Sequence, residues 1–228
     1  MRYIAMTAAP RVIDTFKSLD FVFNNPYVFA DRFSGEDGYF QESERRDTRW
    51  STNFVADVFA STPEASDPDA PSLRGAGTTA TVFAMVNSTV RSHSQAWPVG
   101  THSKFHRHGP GIHVVLLRGA GYSLLWPDGS PMERIDWQTG SMFVPPEGWW
   151  HSHFNTGRDS SLFLAIGWGS DKPKAGGKEY VYKSVKDGGD QYEYEDEDPA
   201  IHREFEEELA RNGMKCTMGR FHPYCTQR

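Results

Sequence analysis

The chain has 228 residues and a formal net charge of −6, with 15 Phe, 9 Tyr, 7 Trp, 21 Gly and 14 Pro. This length suits one large domain with a buried core, and aromatics mixed with turn formers favour β-structure over helices. The acidic balance excludes a nucleic-acid-binding surface. There is no apolar run long enough for a transmembrane helix, and residues 1–20 lack the apolar centre of a signal peptide, so a cytoplasmic location without a membrane partner is expected.

In chain order, Arg2–Thr7 reads as a short strand. Residues 11–50 read as an arm anchored by Phe21, Phe23, Tyr27 and Phe29, and residues 61–78, rich in Pro, Ser, Asp and Gly, as a surface loop. From Thr79 the pattern changes to short β-branched and aromatic runs. These are Thr79–Val86, Thr89–Trp97, Thr101–His108, Ile112–Arg118, Tyr122–Trp126, Arg134–Trp137, Ser141–Val144, Trp150–Asn155 and Ser161–Gly167, separated by Gly- and Pro-containing turns. Strands at this spacing predict an all-β sandwich or barrel.

Ser170–Gly189 reads as a loop and Glu193–Asp198 as a solvated acidic run. A helix is then expected, with Asp198 as N-cap, Pro199 in the first turn, Ile201, Phe205 and Leu209 on one face, and Gly213 as the stop. The division is therefore 1–78 arm, 79–169 barrel core, and 170–228 loop, acidic run, helix and tail. Cys216 and Cys225 are the only cysteines. No His/Cys metal spacing surrounds them, and they are read as incidental.

Seven of the nine histidines lie between His93 and His153. In a strand, residues two apart share a face, so His106 and His108 project together. A tight Gly109-Pro110-Gly111 turn returns His113 towards them, and His151 follows about 40 residues later. Neutral imidazoles in such a group suit Fe, Ni, Cu or Zn.

Gly100-x5-His106-x-His108-x4-His113-x5-Gly119 resembles the first motif of the cupin superfamily, and Gly140-x5-Pro146-x-Gly148-x2-His151-x3-Asn155 resembles the second. The resemblance implies a double-stranded β-helix, or jelly-roll, barrel with one divalent metal. His113 stands where that family usually has Glu. Either it ligates, giving a four-His site, or it stays back and leaves His106, His108 and His151. The loss of the carboxylate favours an anionic, bidentate substrate. More loosely, the chain resembles the C-terminal half of bacterial two-cupin proteins, whose halves are joined by a segment like Phe23-Asn24-Asn25-Pro26.

His153 and Asn155 share the parity of His151, which makes His153 the candidate catalytic acid or base, or else a hydrogen-bonded core residue. His102 and Lys104 share the parity of His106 and are expected nearer the barrel mouth, exposed. His93 can face either way. Trp126, Trp149, Trp150, Phe143 and Met142 are expected as apolar walls, with Arg107 and Arg118 pointing outward. The resulting expectation is an Fe(II) dioxygenase of a small aromatic or dicarbonyl molecule, working as a homodimer. The alternatives are non-redox chemistry on Zn, Mn or Ni (isomerase, lyase or hydrolase) and a non-enzymatic metal- or ligand-binding module, with Cu a further possible metal.

Overall fold

The computed structural model describes residues 4–26, 44–46, 49–52, 54–63, 74–84, 90–109, 111–168 and 183–227. Two short helices come first, α1 (Ala9–Phe16) and α2 (Leu19–Phe23), then strands β1 (Glu44–Arg46) and β2 (Arg49–Ser51) and the helical turn α3 (Val58–Ser61). The main body follows as β3 (Thr79–Ala84), β4 (Val90–Trp97), β5 (Ile112–Arg118), β6 (Ala120–Trp126), β7 (Glu133–Gln138), β8 (Met142–Phe143), β9 (Trp150–Asn155) and β10 (Ser161–Trp168). Helix α4 (Pro199–Arg211) comes last.

The strands form a seven-stranded sheet in the order β1-β2-β3-β4-β10-β5-β8 and a three-stranded sheet in the order β7-β6-β9. Among the described residues this is a two-sheet jelly roll, not a single closed sheet. The passage between sheets at Gly119 explains that glycine. Its φ is +99°, and a Cβ there would lie 2.8 Å from the Ser161 Cα. Only a residue without a side chain turns this corner against β10.

Alternation along the strands decides what faces the interior. Trp97, Ile112, Val114, Leu116, Trp137, Phe163 and Ala165 form one buried cluster between the sheets. Every residue of β9 is buried, because both of its faces are covered. His153 packs inward against Trp97 and Phe163, with ring centroids at 5.0 and 5.6 Å, and Phe154 packs outward against Phe205 of α4 at 5.5 Å. A second cluster therefore lies outside the small sheet, built from Tyr122, Phe154, Phe205, Leu209 and Met218.

Helix α4 forms as its sequence predicts. The Asp198 carboxylate accepts from the Ala200 N–H at 2.9 Å, and Ile201, Phe205 and Leu209 are buried. No described helix is long and apolar enough to cross a membrane.

Four expectations are corrected. Residues 4–7 form no strand, and the regular structure begins with α1, where Pro10 is accommodated in the first turn. Thr101–His108 is not a ladder strand but an extended segment joined to β9 by isolated bridges, His102↔Phe154 and His106↔His151. Between the Ser103 N–H bond to the His153 carbonyl and the His106 N–H bond to the His151 carbonyl, three residues advance against two. Such a bulge reverses the facing of the chain. His102 is consequently fully buried in the outer cluster, stacked on Phe154 at 4.6 Å, instead of exposed near the mouth. The acidic run is not simply solvated either. Glu197 is 5 % exposed, and burial pushes its carboxyl well above the usual carboxylate range. Tyr27, Phe29 and most of Ser170–Gly189 lie outside the described residues.

Candidate metal centre

The bulge that sends His102 outward sends His106 inward. Beyond it the two-residue spacing holds, so His108 follows His106 to the same side. The His106↔His151 bridge brings the second motif alongside. One ring nitrogen from each of His106, His108 and His151 lies within 4.8 Å of the others. Ring centroids are 4.3 Å apart for His106 and His151, 5.0 Å for His108 and His151, and 5.8 Å for His106 and His108.

The tautomers of two of these rings follow from their partners. His106 Nδ1 lies 2.8 Å from the Lys104 carbonyl, and His151 Nδ1 lies 3.0 Å from the Trp149 carbonyl. A carbonyl oxygen only accepts, so each Nδ1 carries the proton and each Nε2 keeps its lone pair. This is the usual arrangement of a metal-ligating histidine, with the outer nitrogen anchored to the backbone. His108 differs, since its Nδ1 is buried without a hydrogen-bond partner among the described residues.

The environment keeps all three rings neutral, as ligation requires. Burial holds the His151 pKa at about 4. Burial, then the Arg74 charge, depresses His106 well below its usual range. For His108 the order is burial, His151 and Arg74, with Arg91 contributing as well. Donor type, tautomer and protonation state thus all fit a bound divalent cation.

His113 does not join this group. On β5, Ile112, Val114 and Leu116 face the interior, and His113 sits between them in sequence with the opposite facing, half-buried. The glycine turn brings the chain back one residue out of phase, so Ile112 takes the inward position. His113 Nδ1 is buried on that other side without a partner among the described residues. Of the two arrangements open from the sequence, the geometry is that of three histidines.

His153 lies on the inner face of β9, its ring centroid 5.6 Å from that of His151. The β6–β9 register sets Ser123 directly opposite it. The Trp137 indole N–H donates to Ser123 Oγ at 3.0 Å, and Ser123 Oγ lies 2.7 Å from His153 Nδ1. With the Ser123 hydroxyl proton directed to that nitrogen, the His153 proton resides on Nε2, a donor into the interior. Burial, then His151 and His93, depresses its pKa well below the usual range.

Two residues near this site, Arg74 and Arg91, escaped the sequence reading, which left the facing of His93 open. Arg91 and His93 share the inward parity of Trp97 on β4, a signal that alternation alone contained. Burial and the Arg91 charge bring the His93 pKa to about 4. Arg74 comes from the stretch read as surface loop, and no periodicity announces it. Its charge nevertheless acts on His93, His106, His108 and His151. The expected walls divide by face. Phe143 packs against His153 at 5.8 Å, Trp150 lies outside beneath Arg107, and Met142 is exposed.

No protein-family profile and no curated protein matches the sequence. Among solved structures, similarity extends to a Lactobacillus farciminis oxalate decarboxylase formate complex, at 16% identity and TM-score 0.38, over 40% of this chain and 29% of that one. It extends also to a cupin 2 conserved barrel domain protein from Rhodopseudomonas palustris, at 21% identity and TM-score 0.35, over 50% of this chain and 79% of that one. A cupin-like protein from Thermotoga maritima gives 14% identity and TM-score 0.31, over 40% and 68% respectively. The chain spans under a third of the oxalate decarboxylase's length. The two glycine–histidine motifs are carried on adjacent extended segments of a two-sheet jelly roll, and three imidazoles that could hold a metal ion converge between them.

Proposed function

We propose that the chain is a mononuclear non-haem Fe(II) dioxygenase acting on a small anionic molecule, aromatic or dicarbonyl in character. The observation that carries this reading is the candidate ligand set itself: three neutral imidazoles and, among the described residues, no carboxylate, with Arg74 and Arg91 acting on the same group. A divalent ion held only by neutral ligands keeps its full charge. An Fe(II) ion bound there would supply open coordination positions at which a chelating substrate and dioxygen meet.

The protein's own groups account for the rest. The guanidinium groups of Arg74 and Arg91 attract a carboxylate or enolate and suppress neutral competitors. Trp97, Phe143 and Phe163 form an aromatic wall around His153 that excludes water from it. His153 Nε2–H donates to an oxygen of the bound anion, and Ser123 and Trp137 hold that tautomer.

The same Nε2–H favours one competitor, a non-redox metal-dependent lyase or isomerase in which proton donation is the main event. An oxygen electrode separates the two readings. The protein is reconstituted anaerobically with Fe(II) or with Zn(II) and offered gentisate, catechol and a β-diketone. Oxygen uptake by the iron form alone is expected, with loss in His106→Ala and His151→Ala. An iron-loaded protein that consumes no oxygen, but forms product from a carboxylate substrate under nitrogen, would replace the first reading with the second.

A further inference from the structure

A second group of metal-ligating side chains lies in the outer cluster, between α4 and the C-terminal tail, apart from the three-histidine site. We propose that His202, Glu206, Cys216 and Cys225 form a structural site for a thiophilic divalent cation, Zn(II) in the first instance, which clips the tail onto α4.

The sequence separations make the site possible. His202 and Glu206 are one turn apart on α4 and so share a face. The chain reverses after Gly213, bringing Cys216 back along the helix, and the tail returns again to deliver Cys225. All four residues are buried, with exposures of 0 to 8 %. One ligand atom from each lies within 4.8 Å of the others. Three separations are resolved: 3.2 Å between the two Sγ atoms, 3.6 Å from Cys216 Sγ to His202 Nε2, and 3.7 Å from that nitrogen to Glu206 Oε1. A tetrahedral zinc with ordinary Zn–S, Zn–N and Zn–O bonds has edges of about 3.3–3.8 Å, so the nitrogen separations lie in range and the two sulfurs would part by roughly half an ångström.

Hydrogen bonding fixes which atom His202 presents. His102 Nδ1 lies 3.0 Å from the Ser103 carbonyl and must donate to it. His102 Nε2 is therefore an acceptor, and it lies 3.3 Å from His202 Nδ1. His202 gives its proton to His102 and turns an Nε2 lone pair towards the two sulfurs and the carboxylate. Two of the three remaining ligands are anchored in the same manner. Glu206 Oε1 accepts from the Thr226 N–H at 2.8 Å and Oε2 from the Thr226 hydroxyl at 2.6 Å, while Cys216 Sγ accepts from the Met218 N–H at 3.4 Å. Such outer bonds orient metal ligands.

The charge balance points the same way. The only ion-pair partner seen for Glu206 among the described residues is His202, and His202 is committed to a neutral tautomer. The two Thr226 bonds keep Glu206 a carboxylate, the charged oxygen donor that suits a cation beside two sulfurs and an imidazole lone pair.

A neighbouring trio, His102, His202 and His222, also lies within ligand range. Its nitrogens are already paired, however. His202 Nδ1 donates to His102, and His222 Nδ1 accepts from the Tyr224 N–H at 3.4 Å, which leaves the Nε2–H for Glu197 at 3.3 Å. The trio therefore serves as the supporting shell.

The test uses the full chain, purified without chelator. Elemental analysis is expected to give about one zinc per chain that persists in His106→Ala. Cobalt-loaded His106→Ala is expected to show the near-ultraviolet thiolate-to-cobalt charge-transfer band, absent from the Cys216→Ser/Cys225→Ser variant. Should that variant fail to fold, wild-type protein still answers the question. Thiol modification by a mercurial is expected to release the zinc stoichiometrically, and strong chelation to lower Tm by about 10 °C or more. Either of two results overturns the proposal: an intact mass showing a Cys216–Cys225 disulfide, or cobalt bound without thiolate character and lost on His102→Ala/His222→Ala instead.

Discussion

Removing one hydroxyl tests how the interior is wired. Ser123 is fully buried and joins the Trp137 indole N–H to His153 Nδ1. Ser123→Ala leaves one buried donor and one buried acceptor without partners, at about 1–3 kcal/mol each, so a loss of about 2–6 kcal/mol is expected. At roughly 2–4 °C per kcal/mol for a chain of this size, Tm falls by about 4–24 °C. Metal content stays at the wild-type level, because the bonds anchoring His106 and His151 run to the Lys104 and Trp149 carbonyls and are untouched. In a double-mutant cycle, Trp137→Phe costs about 1 kcal/mol less in the Ser123→Ala background than in wild type, since its donor is already unpaired there. Calorimetry with parallel elemental analysis makes the measurement. A variant that melts with wild type, or one that sheds the metal held by the three-histidine site, would refute this account of His153.

Acid should destabilise the metal-free protein through its buried histidines. The His93 pKa is about 4 in the folded chain against an ordinary value of 6.5, so between these values the unfolded chain binds a proton that the folded one refuses. Stability is therefore full above about pH 6.5 and falls as pH drops towards 4, by about 3 kcal/mol for this residue. Urea midpoints measured against pH with chelator present should show a shallower slope for His93→Gln, and parallel profiles would contradict the burial argument. Gly119→Ala and Gly140→Ala form a matched pair. Both positions have positive φ, but an added Cβ meets Ser161 at the first and open space at the second. The conformation alone costs about 1–2 kcal/mol, and the contact should make Gly119→Ala the more damaging by a further 1–3 kcal/mol or so. Equal losses in denaturant titration would remove the reason given for the corner between the sheets.

Periodicity and punctuation in the sequence determined a great deal. The strands Ile112–Arg118 and Trp150–Asn155, the cap and buried face of α4, and the pairing of His106 with His108 all follow from local alternation or local turn chemistry. Three features depended on the tertiary structure. A bulge between Ser103 and His106 reverses the facing of a run that strict alternation would keep in phase, which sends His102 to the outer cluster and His106 to the inner site. The glycine turn after His108 returns the chain with Ile112 inward and His113 outward, a one-residue phase that spacing cannot fix. Finally, the C-terminal tail folds back on α4, and two cysteines with no recognisable metal spacing meet a histidine and a glutamate, because contacts between distant segments leave no period in the sequence.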